Sequence, residues 1–246
     1  MTTRSPDSIA PSLRVAGEAP GGVFIVFEGI DGSGTTTQAE RYAAHLRAKR
    51  RLVHVTREPS GGPLGAMLRQ VLTHRLVLPA SNQAQVMALL FAADRLDHIA
   101  AEIMPLLEDG YVVISDRYDL SSLAYQVTAA LEAADAADPP SAAPTSESPL
   151  PRSMLRWVRE LNRFARRPDL TLVLDVSPEI AEQRRRGRGG AHELYDDVDL
   201  QARLAQAYRR AEELVPGDRL VHVNGDGDPD VIQREIAALL DPIVDR

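Results

Sequence analysis

A short apolar run followed at once by a glycine-rich turn constrains the fold of this chain more than any other feature. Residues 23–28 read Val-Phe-Ile-Val-Phe-Glu, and a glycine-rich stretch that ends in three threonines follows them. A buried strand, a tight glycine turn and a helix, in this order, let backbone N–H groups converge where the helix begins, and such N–H groups bind phosphate. The sequence therefore predicts a phosphate-binding loop, or P-loop. Its candidate residues are Gly29, Ile30, Asp31, Gly32, Ser33, Gly34, Thr35, Thr36 and Thr37.

The predicted loop lacks the lysine of the usual pattern G-x-x-x-x-G-K-[ST]. Gly29 and Gly34 hold the glycine positions and Thr36 holds the hydroxyl position for magnesium, but Thr35 stands where lysine belongs. At ~4 Å and an effective dielectric of ~20, the missing charge corresponds to roughly 4 kcal/mol, on the order of a thousandfold in rate. The only lysine of the chain, Lys49, lies at the far end of the same predicted helix, about 20 Å away. Arginines must therefore supply the charge.

Strand and helix patterns alternate along most of the chain. Strands are predicted at residues 23–28, 52–56, 111–115, 170–175 and 219–223, with helices between successive strands. This alternation is typical of an α/β fold of three layers, in which helices cover both faces of a parallel, five-stranded sheet. The length of 246 residues favours a single domain, here predicted for residues 23–246. Residues 1–22 are predicted to be a disordered tail, and residues 129–153, rich in Pro, Ala and Ser, a long surface loop.

Composition excludes several classes of protein. The net charge of -7 argues against a general nucleic-acid binder or a protein of anionic membrane surfaces, because both use summed positive charge. Without cysteine the chain has no disulfide and no thiolate, which fits a reducing compartment. No secretory signal is apparent in residues 1–22, and the long helical segment 84–107 carries too many charges to span a membrane. The expected location is the cytoplasm.

That long helical segment presents two stripes. One stripe is apolar and is predicted to pack on the core; it consists of Val86, Leu89, Ala93, Leu96, Ala100, Ile103 and Leu107. The other contains Phe91 and Arg95, which are one helical turn apart, so that an aromatic ring and a guanidinium can meet the same planar ligand. A core phenylalanine beside a solvated arginine would produce the same pattern.

Two arginine–carboxylate pairs follow predicted strands. Arg57 and Glu58 follow the second strand, and Asp116 and Arg117 follow the third. Ligands of parallel sheets lie beyond the carboxyl ends of the strands, so these side chains are predicted to share one crevice with the P-loop. A carboxylate there can organise magnesium, and an arginine can bind phosphate in fork geometry. A structural ion pair is the alternative.

An arginine-rich block follows the fourth strand. It reads Arg-Arg-Arg-Gly-Arg-Gly-Gly over residues 184–190. Such a block can close as a lid over a triphosphate, and an arginine placed on a transferring phosphoryl group contributes on the order of 10³ to 10⁵ in rate. A solvated charge run at a helix end accounts for the block equally well.

Several ordered motifs together resemble the thymidylate kinase family of P-loop nucleoside monophosphate kinases. The resemblance spans residues 23–240, apart from the segment 129–153. It rests on the motifs FEGIDGSG, TREPSGGPLG, LLFAADR, SDRYDLSSLAYQ and PDLTLVLDVSPE and on the arginine-rich block. It implies the P-loop kinase fold, transfer of the γ-phosphoryl group of ATP to dTMP with Mg²⁺, and a homodimer.

The resemblance also implies a role for individual side chains. Phe91 would stack on thymine and Arg95 would hydrogen-bond its edge. Arg69 and Arg117 would hold the monophosphate, with Glu58, Pro59, Tyr125 and Gln126 also in the substrate pocket. Asp31, Glu58 and Asp116 would organise magnesium, water and phosphates, and Asp31 and Asp116 would also be catalytic. Asp31 and Asp116 would hold magnesium together with Thr36 of the P-loop pattern. Arg184, Arg186 and Arg188 fall on the positions of the catalytic lid arginines.

Two alternatives stay open from sequence. The missing lysine is compatible with a protein that binds nucleotides but no longer transfers phosphate. The acceptor is also open, because another nucleoside monophosphate would need a pocket of the same general kind. The segment 129–153 lengthens a normally short connection near the acceptor site and so leaves open whether dimer contacts or pocket access differ from the family pattern.

Overall fold

A computed structural model describes residues 21–79, 82–137, 152–188, 194–195 and 197–245 of the chain, with the side chains of residues 130–137, 152 and 188 left out. Five parallel strands form one sheet in the order β2-β3-β1-β4-β5. Their bounds are β1 Val23–Gly29, β2 Val53–Arg57, β3 Val112–Asp116, β4 Leu170–Asp175 and β5 Leu220–Asn224. The predicted fold class is confirmed, and every strand bound lies within one residue of its prediction.

Helices connect the strands and cover both faces of the sheet. Their bounds are α1 Thr35–Ala48, α2 Pro63–Leu72, α3 Gln83–His98, α4 Met104–Glu108, α5 Asp119–Ala137, α6 Arg152–Leu161, α7 Pro178–Arg188, α8 Val198–Arg209, α9 Ala211–Leu214 and α10 Pro229–Val244. Proline occupies the first turn of α2, and α7 begins at Pro178; proline suits such positions because its φ is helical and its missing N–H is not needed there. No helix among the described residues is both long and apolar enough to cross a membrane.

The central strand β1 shows how the two faces are divided. Ile25 and Phe27 pack against α1 and α10, whereas Phe24 and Val26 pack on the other face, against Ile103 and its neighbours. Successive side chains of a strand point to opposite faces, so an unbroken apolar run such as this one suits a strand that is covered on both sides.

The long helical segment is interrupted by a π-helical turn at Ile99–Ile103, between α3 and α4. One extra residue in a helical turn rotates all later side chains by about 100° around the axis. Ile103 and Leu107 are therefore buried as predicted, whereas Leu89 and Leu96 are 50% and 40% exposed. The prediction of one continuous core stripe was wrong for the part of the helix before the π turn. Met87, Ala88 and Ala92 fill the core there instead, while Ala93 and Ala100 are exposed and Val86 is half-buried.

The predicted surface loop at residues 129–153 is shorter than expected. Helix α5 continues to Ala137 and α6 begins at Arg152. The loop prediction was wrong for 129–137 and for 152–153, and residues 138–151 lie outside the described residues. Residues 1–20 of the predicted tail also lie outside them, while Gly22 donates a backbone hydrogen bond to Leu107.

Candidate active site

The P-loop joins β1 to α1 and packs directly on helix α7. Gly32 and Gly34 have φ of +90° and +97°, a conformation that side chains with a Cβ rarely adopt. A Cβ at Gly32 would also lie 2.3 Å from the carbonyl oxygen of Ala181 in α7. Glycine is therefore required at this position, because it lets the arginine-bearing helix touch the backbone of the loop.

Two arginines of α7 bind the P-loop backbone. Arg184 donates from Nη1 to the carbonyl of Ser33 (3.1 Å) and from Nη2 to the carbonyl of Gly225 (2.8 Å). Arg185 donates from Nη1 to the carbonyl of Asp31 (2.6 Å). Sequence reasoning did not select Arg185, because the spacing within a run of arginines does not tell which members face the loop.

The arginine block places its members very differently. A Cβ built on Gly34, the residue before Thr35, would lie 4.0 Å from Nη1 of Arg184, so this guanidinium is next to the position that lacks lysine. Arg186 is 79% exposed and pairs with Glu182 on its own helix. The side chain of Arg188 lies outside the described residues. Of the three predicted catalytic arginines, the structure brings Arg184 to the P-loop.

The first helical turn after the loop meets the end of strand β3. Thr36 donates a hydrogen bond from Oγ1 to Oδ2 of Asp116. The other carboxylate oxygen, Oδ1, is buried and has no hydrogen-bond partner among the described residues. A hydroxyl and a carboxylate with a free oxygen fit Mg²⁺, which prefers hard oxygen ligands. The third predicted metal residue, Asp31, points instead to the neighbouring pocket.

A pocket opens beside the P-loop at the carboxyl ends of β1 and β3. Seven predicted site residues line it, namely Asp31, Glu58, Pro59, Phe91, Arg117, Tyr125 and Gln126. Its remaining lining residues are Leu72, Tyr118, Ser121, Ser122 and Tyr195. Gln126 is fully buried, and neither polar atom of its amide makes a hydrogen bond of good geometry to another described residue, although Tyr195 is near enough for the amide to oppose the rise that burial causes in the pKa of its hydroxyl. Such an amide can hydrogen-bond a ligand in the pocket.

Arg117 lines this pocket and has an unusual backbone conformation. Its φ is 74°, in the left-handed region, which costs free energy for a residue other than glycine and is frequent at functional sites. Nη1 donates to the carbonyl of Gly29 (2.6 Å), and Nη2 is paired with the carboxylate of Asp31. Burial alone would lower the pKa of Arg117, but Tyr125 and Asp31 outweigh this effect and raise it. The guanidinium therefore stays charged.

Arg95 lies behind the pocket and is only 1% exposed. Nη2 pairs with Glu58 (2.5 Å) and donates to the hydroxyl of Ser122 (3.0 Å), while Nη1 donates to Oδ1 of Asn162 (2.5 Å). Burial alone would lower the pKa of Arg95, and the carboxylate of Glu58 contributes most to raising it. The solvated arginine that the sequence left open is absent, because this side chain is an internal charge held by named partners.

Phe91 and Arg69 lie nearer the surface. Phe91 is half-buried on the pocket wall, one turn from Arg95 on α3. Arg69 of α2 donates to the carbonyls of Ser60 (2.6 Å) and Pro59 (3.1 Å) at the neighbouring edge. Arg69 thus lies beside the pocket rather than in its wall.

Glu28 is a buried carboxylate that the sequence analysis did not select. It is fully buried, and it accepts hydrogen bonds from Ser121 and Tyr208 among others. Burial raises the pKa of Glu28 to about 7, against the lowering effect of Arg117 and of these hydrogen bonds. The available signal was a charged residue at the end of an otherwise apolar strand, where a side chain without a partner would be costly.

The sheet and the site together define a P-loop kinase for a small phosphorylated acceptor. The parallel sheet carries a phosphate loop at the end of β1, a Thr–Asp pair suited to magnesium, and an adjoining pocket with an arginine, an aromatic ring and a free amide. This arrangement is that of the nucleoside monophosphate kinases.

Comparison with known proteins narrows this class to one family. A family model described as "Thymidylate kinase" matches residues 27–138. A probable thymidylate kinase of Pyrococcus horikoshii is 37% identical over 202 residues, which cover 82% of this chain and 88% of that protein. One of Thermococcus gammatolerans is 37% identical over 224 residues, or 89% and 96% of the two chains. A thymidylate kinase of Bifidobacterium longum is 41% identical over 188 residues, or 76% and 82%. The chain belongs to the thymidylate kinase family, which confirms the resemblance seen in its motifs.

Proposed function

We propose that this chain transfers the γ-phosphoryl group of ATP to dTMP, giving dTDP and ADP. One arrangement carries the proposal. Asp31 is bound from both sides, because Arg185 of the donor side contacts its backbone carbonyl and Arg117 of the acceptor side contacts its carboxylate. The P-loop and the acceptor pocket are therefore in direct contact, as a direct transfer between two bound nucleotides requires.

On the donor side, the backbone N–H groups of Gly29–Thr37 would hold the phosphates at the start of α1. Arg184 would stand in for the missing lysine, because its guanidinium already lies against the loop at Ser33 and Gly34. Arginine in this place neutralises charge that develops on the transferring group. Arg186 is largely exposed and pairs with Glu182, so Arg188 remains the candidate for a second contact from the same block.

Thr36 and Asp116 would hold Mg²⁺, for which the free Oδ1 of Asp116 is the supporting observation. When bound, Mg²⁺ supplies charge neutralisation at the phosphate oxygens. Asp31 faces Arg117 and not this pair, so we assign it to the acceptor side.

On the acceptor side, Arg117 would bind the phosphate of dTMP and Phe91 would stack on the base. Gln126 offers an amide that no other described residue satisfies, and Tyr125 places its ring 5.5 Å from the guanidinium of Arg117. Arg95 lies behind the pocket wall and would act through Glu58 and Ser122, which it binds and which line the pocket. A pocket whose polar groups pair with one base edge rejects acceptors that leave those groups unpaired.

We further propose that the chain acts as a homodimer in the cytoplasm. The observation that supports the dimer is the apolar stripe of α3 that faces outwards and contains Leu89 and Leu96. Exposed apolar stripes of this kind mark protein–protein contacts. Sedimentation should show a dimer for the parent chain and a monomer for the Leu89→Glu, Leu96→Glu variant. The control is Leu239→Glu, at another exposed leucine, which should leave the dimer intact.

A coupled assay with ATP and dTMP tests the activity, and dUMP, dGMP and AMP rank the acceptor. We expect dTMP to have the highest kcat/KM. Calorimetric binding of both nucleotides without any turnover would instead identify a chain that has lost phosphoryl transfer.

A further inference from the structure

Glu28 lies at the end of β1, directly beneath the acceptor pocket. Its two carboxylate oxygens accept hydrogen bonds from different kinds of donor. Oε1 accepts the backbone N–H groups of Tyr118 (2.8 Å) and Ser121 (3.1 Å). Oε2 accepts the hydroxyls of Ser121 (2.6 Å) and Tyr208 (3.0 Å). The first oxygen therefore holds the turn that follows β3, and the second determines where two hydroxyl hydrogens point.

The same two hydroxyls face Arg117. Nη1 of Arg117 lies 3.3 Å from Oγ of Ser121 and 3.2 Å from the hydroxyl oxygen of Tyr208. A guanidinium is only a donor, so both oxygens must turn lone pairs towards it. They can do so because their hydrogens are directed to Oε2 of Glu28. The two hydroxyls thus connect the guanidinium to the carboxylate. Each accepts a hydrogen bond from Arg117 and donates one to Glu28.

We propose that Glu28 is a positioning residue for the acceptor phosphate, holding Arg117 in place by fixing the direction of the Ser121 and Tyr208 hydroxyls. The inference rests on the proposed function, in which Arg117 binds that phosphate. Glu28 itself is fully buried and lines no part of the pocket, so it acts through Arg117.

The polarity of this network makes glutamine a sharp test. The backbone N–H groups of Tyr118 and Ser121 need an acceptor, so the amide oxygen of a glutamine stays at the Oε1 position. Its NH₂ group then replaces Oε2 and donates to both hydroxyls. The two hydroxyls are 2.9 Å apart, so one can donate to the other, but the hydrogen of the second has then lost its acceptor and lies between two donors, the guanidinium and the new NH₂ group. The Glu28→Gln substitution therefore preserves the shape of the side chain but weakens at least one of the hydrogen bonds that Arg117 donates to these hydroxyls.

Other charged and titratable groups around Glu28 do not replace this contact. The Asp31 carboxylate already pairs with Nη2 of Arg117, and the Tyr125 ring lies over the guanidinium. Both contact Arg117 from the side of the pocket. The hydroxyls of Ser121 on α5 and Tyr208 on α8 support it from the side of Glu28. Loss of that support should move the guanidinium rather than unfold the chain.

The experiment compares the parent chain with Glu28→Gln at pH 8. Calorimetry with dTMP alone and steady-state kinetics with ATP and dTMP are the two readouts. We expect the Kd and the KM for dTMP to rise about 10- to 100-fold, in the range of a charge-assisted hydrogen bond. The KM for ATP should change much less than the KM for dTMP, since Arg184 binds the P-loop at Ser33, away from the Gly29 carbonyl that Arg117 contacts. Glu40→Gln, at an exposed position of α1, is the matched control and should match the parent.

The same substitution in a second variant distinguishes a positioning role of Glu28 from a general packing role. The Ser121→Ala, Tyr208→Phe variant has neither of the hydroxyls whose direction Glu28 fixes. Adding Glu28→Gln to that variant should therefore raise the Kd for dTMP much less than it does in the parent chain. An equal penalty in both backgrounds, or an unchanged Kd for dTMP in Glu28→Gln, would overturn the inference. If the parent chain binds dTMP but produces no dTDP, the proposed function fails, while the Kd ratios still decide the role of Glu28.

Discussion

Replacement of Arg184 by methionine tests whether an arginine of α7 has taken over the role of the absent P-loop lysine. Methionine keeps much of the length of the side chain and removes its charge. In the parent chain, Nη1 of Arg184 donates to the carbonyl of Ser33 and lies 4.0 Å from a Cβ placed at Gly34. A phosphate held by the N–H groups of this loop would therefore lie within a few ångströms of the guanidinium.

The expected loss of kcat in Arg184→Met follows from that distance. Two unit charges ~4 Å apart at an effective dielectric of ~20 interact by roughly 4 kcal/mol. Arg184 is half-buried, so part of this interaction is screened by solvent, and we take ~2 to 4 kcal/mol as the loss. Each ~1.4 kcal/mol is a factor of ten in rate. The variant should therefore lose between about 30-fold and 1000-fold in kcat.

The assay is the coupled measurement of ADP formation with saturating ATP and dTMP. Arg186→Met is the matched control, because Arg186 is two residues away on the same helix, is largely exposed and pairs only with Glu182 among the described residues. We expect the control to change kcat less than about threefold. A Thr35→Lys substitution should restore much of the activity of Arg184→Met, since it returns a cation to the usual P-loop position.

Two results would refute this reasoning. Equal losses for Arg184→Met and Arg186→Met would show that the contact with the P-loop is irrelevant to transfer. Full activity in Arg184→Met would show that the charge comes from another group, of which Arg185 is the nearest on the same helix.

Three further predictions concern stability and metal dependence. Burial raises the pKa of Glu28 from 4.5 to about 7. Its contribution to folding stability is therefore full below pH 4.5 and falls by ~3 kcal/mol as the pH rises through 7. Urea unfolding at a series of pH values should show this loss in the parent chain and not in Glu28→Gln. Asn162→Ala leaves a donor of the buried Arg95 unpaired and should lower the free energy of unfolding by about 1–3 kcal/mol, whereas an unchanged urea midpoint would contradict the buried contact. Thr36→Val should raise the Mg²⁺ concentration for half-maximal rate by about 10- to 100-fold, and an unaltered Mg²⁺ titration would exclude the assignment of Thr36 and Asp116 to the metal.

Local patterns in the sequence were sufficient for the sheet and for the loop at its edge. Each strand is a short apolar run bounded by turn residues, and such runs in alternation with helices leave few arrangements other than a covered parallel sheet. The strand ends then place Asp116 and Arg117 beside the P-loop, because parallel strands end at one edge. For this reason most predicted acceptor residues line a single pocket.

The outward face of α3 was not predictable in this way. The apolar spacing from Val86 to Leu107 is regular in sequence, and only the π turn at Ile99–Ile103 breaks its phase in space. The same spacing therefore contains core residues after the turn and surface residues before it. A periodicity argument assumes a constant rotation per residue, and here that assumption fails.

What the sequence alone determined about this protein is its class, its sheet and the identity of the loop, because these depend on residues close together in the chain. The tertiary structure decided which arginines reach the loop, which carboxylate pairs with Arg95, and that Glu28 is connected to Arg117 through Ser121 and Tyr208. Those contacts join residues dozens of positions apart. Their partners are selected by the packing of α5, α7 and α8 on the sheet, which no local pattern encodes.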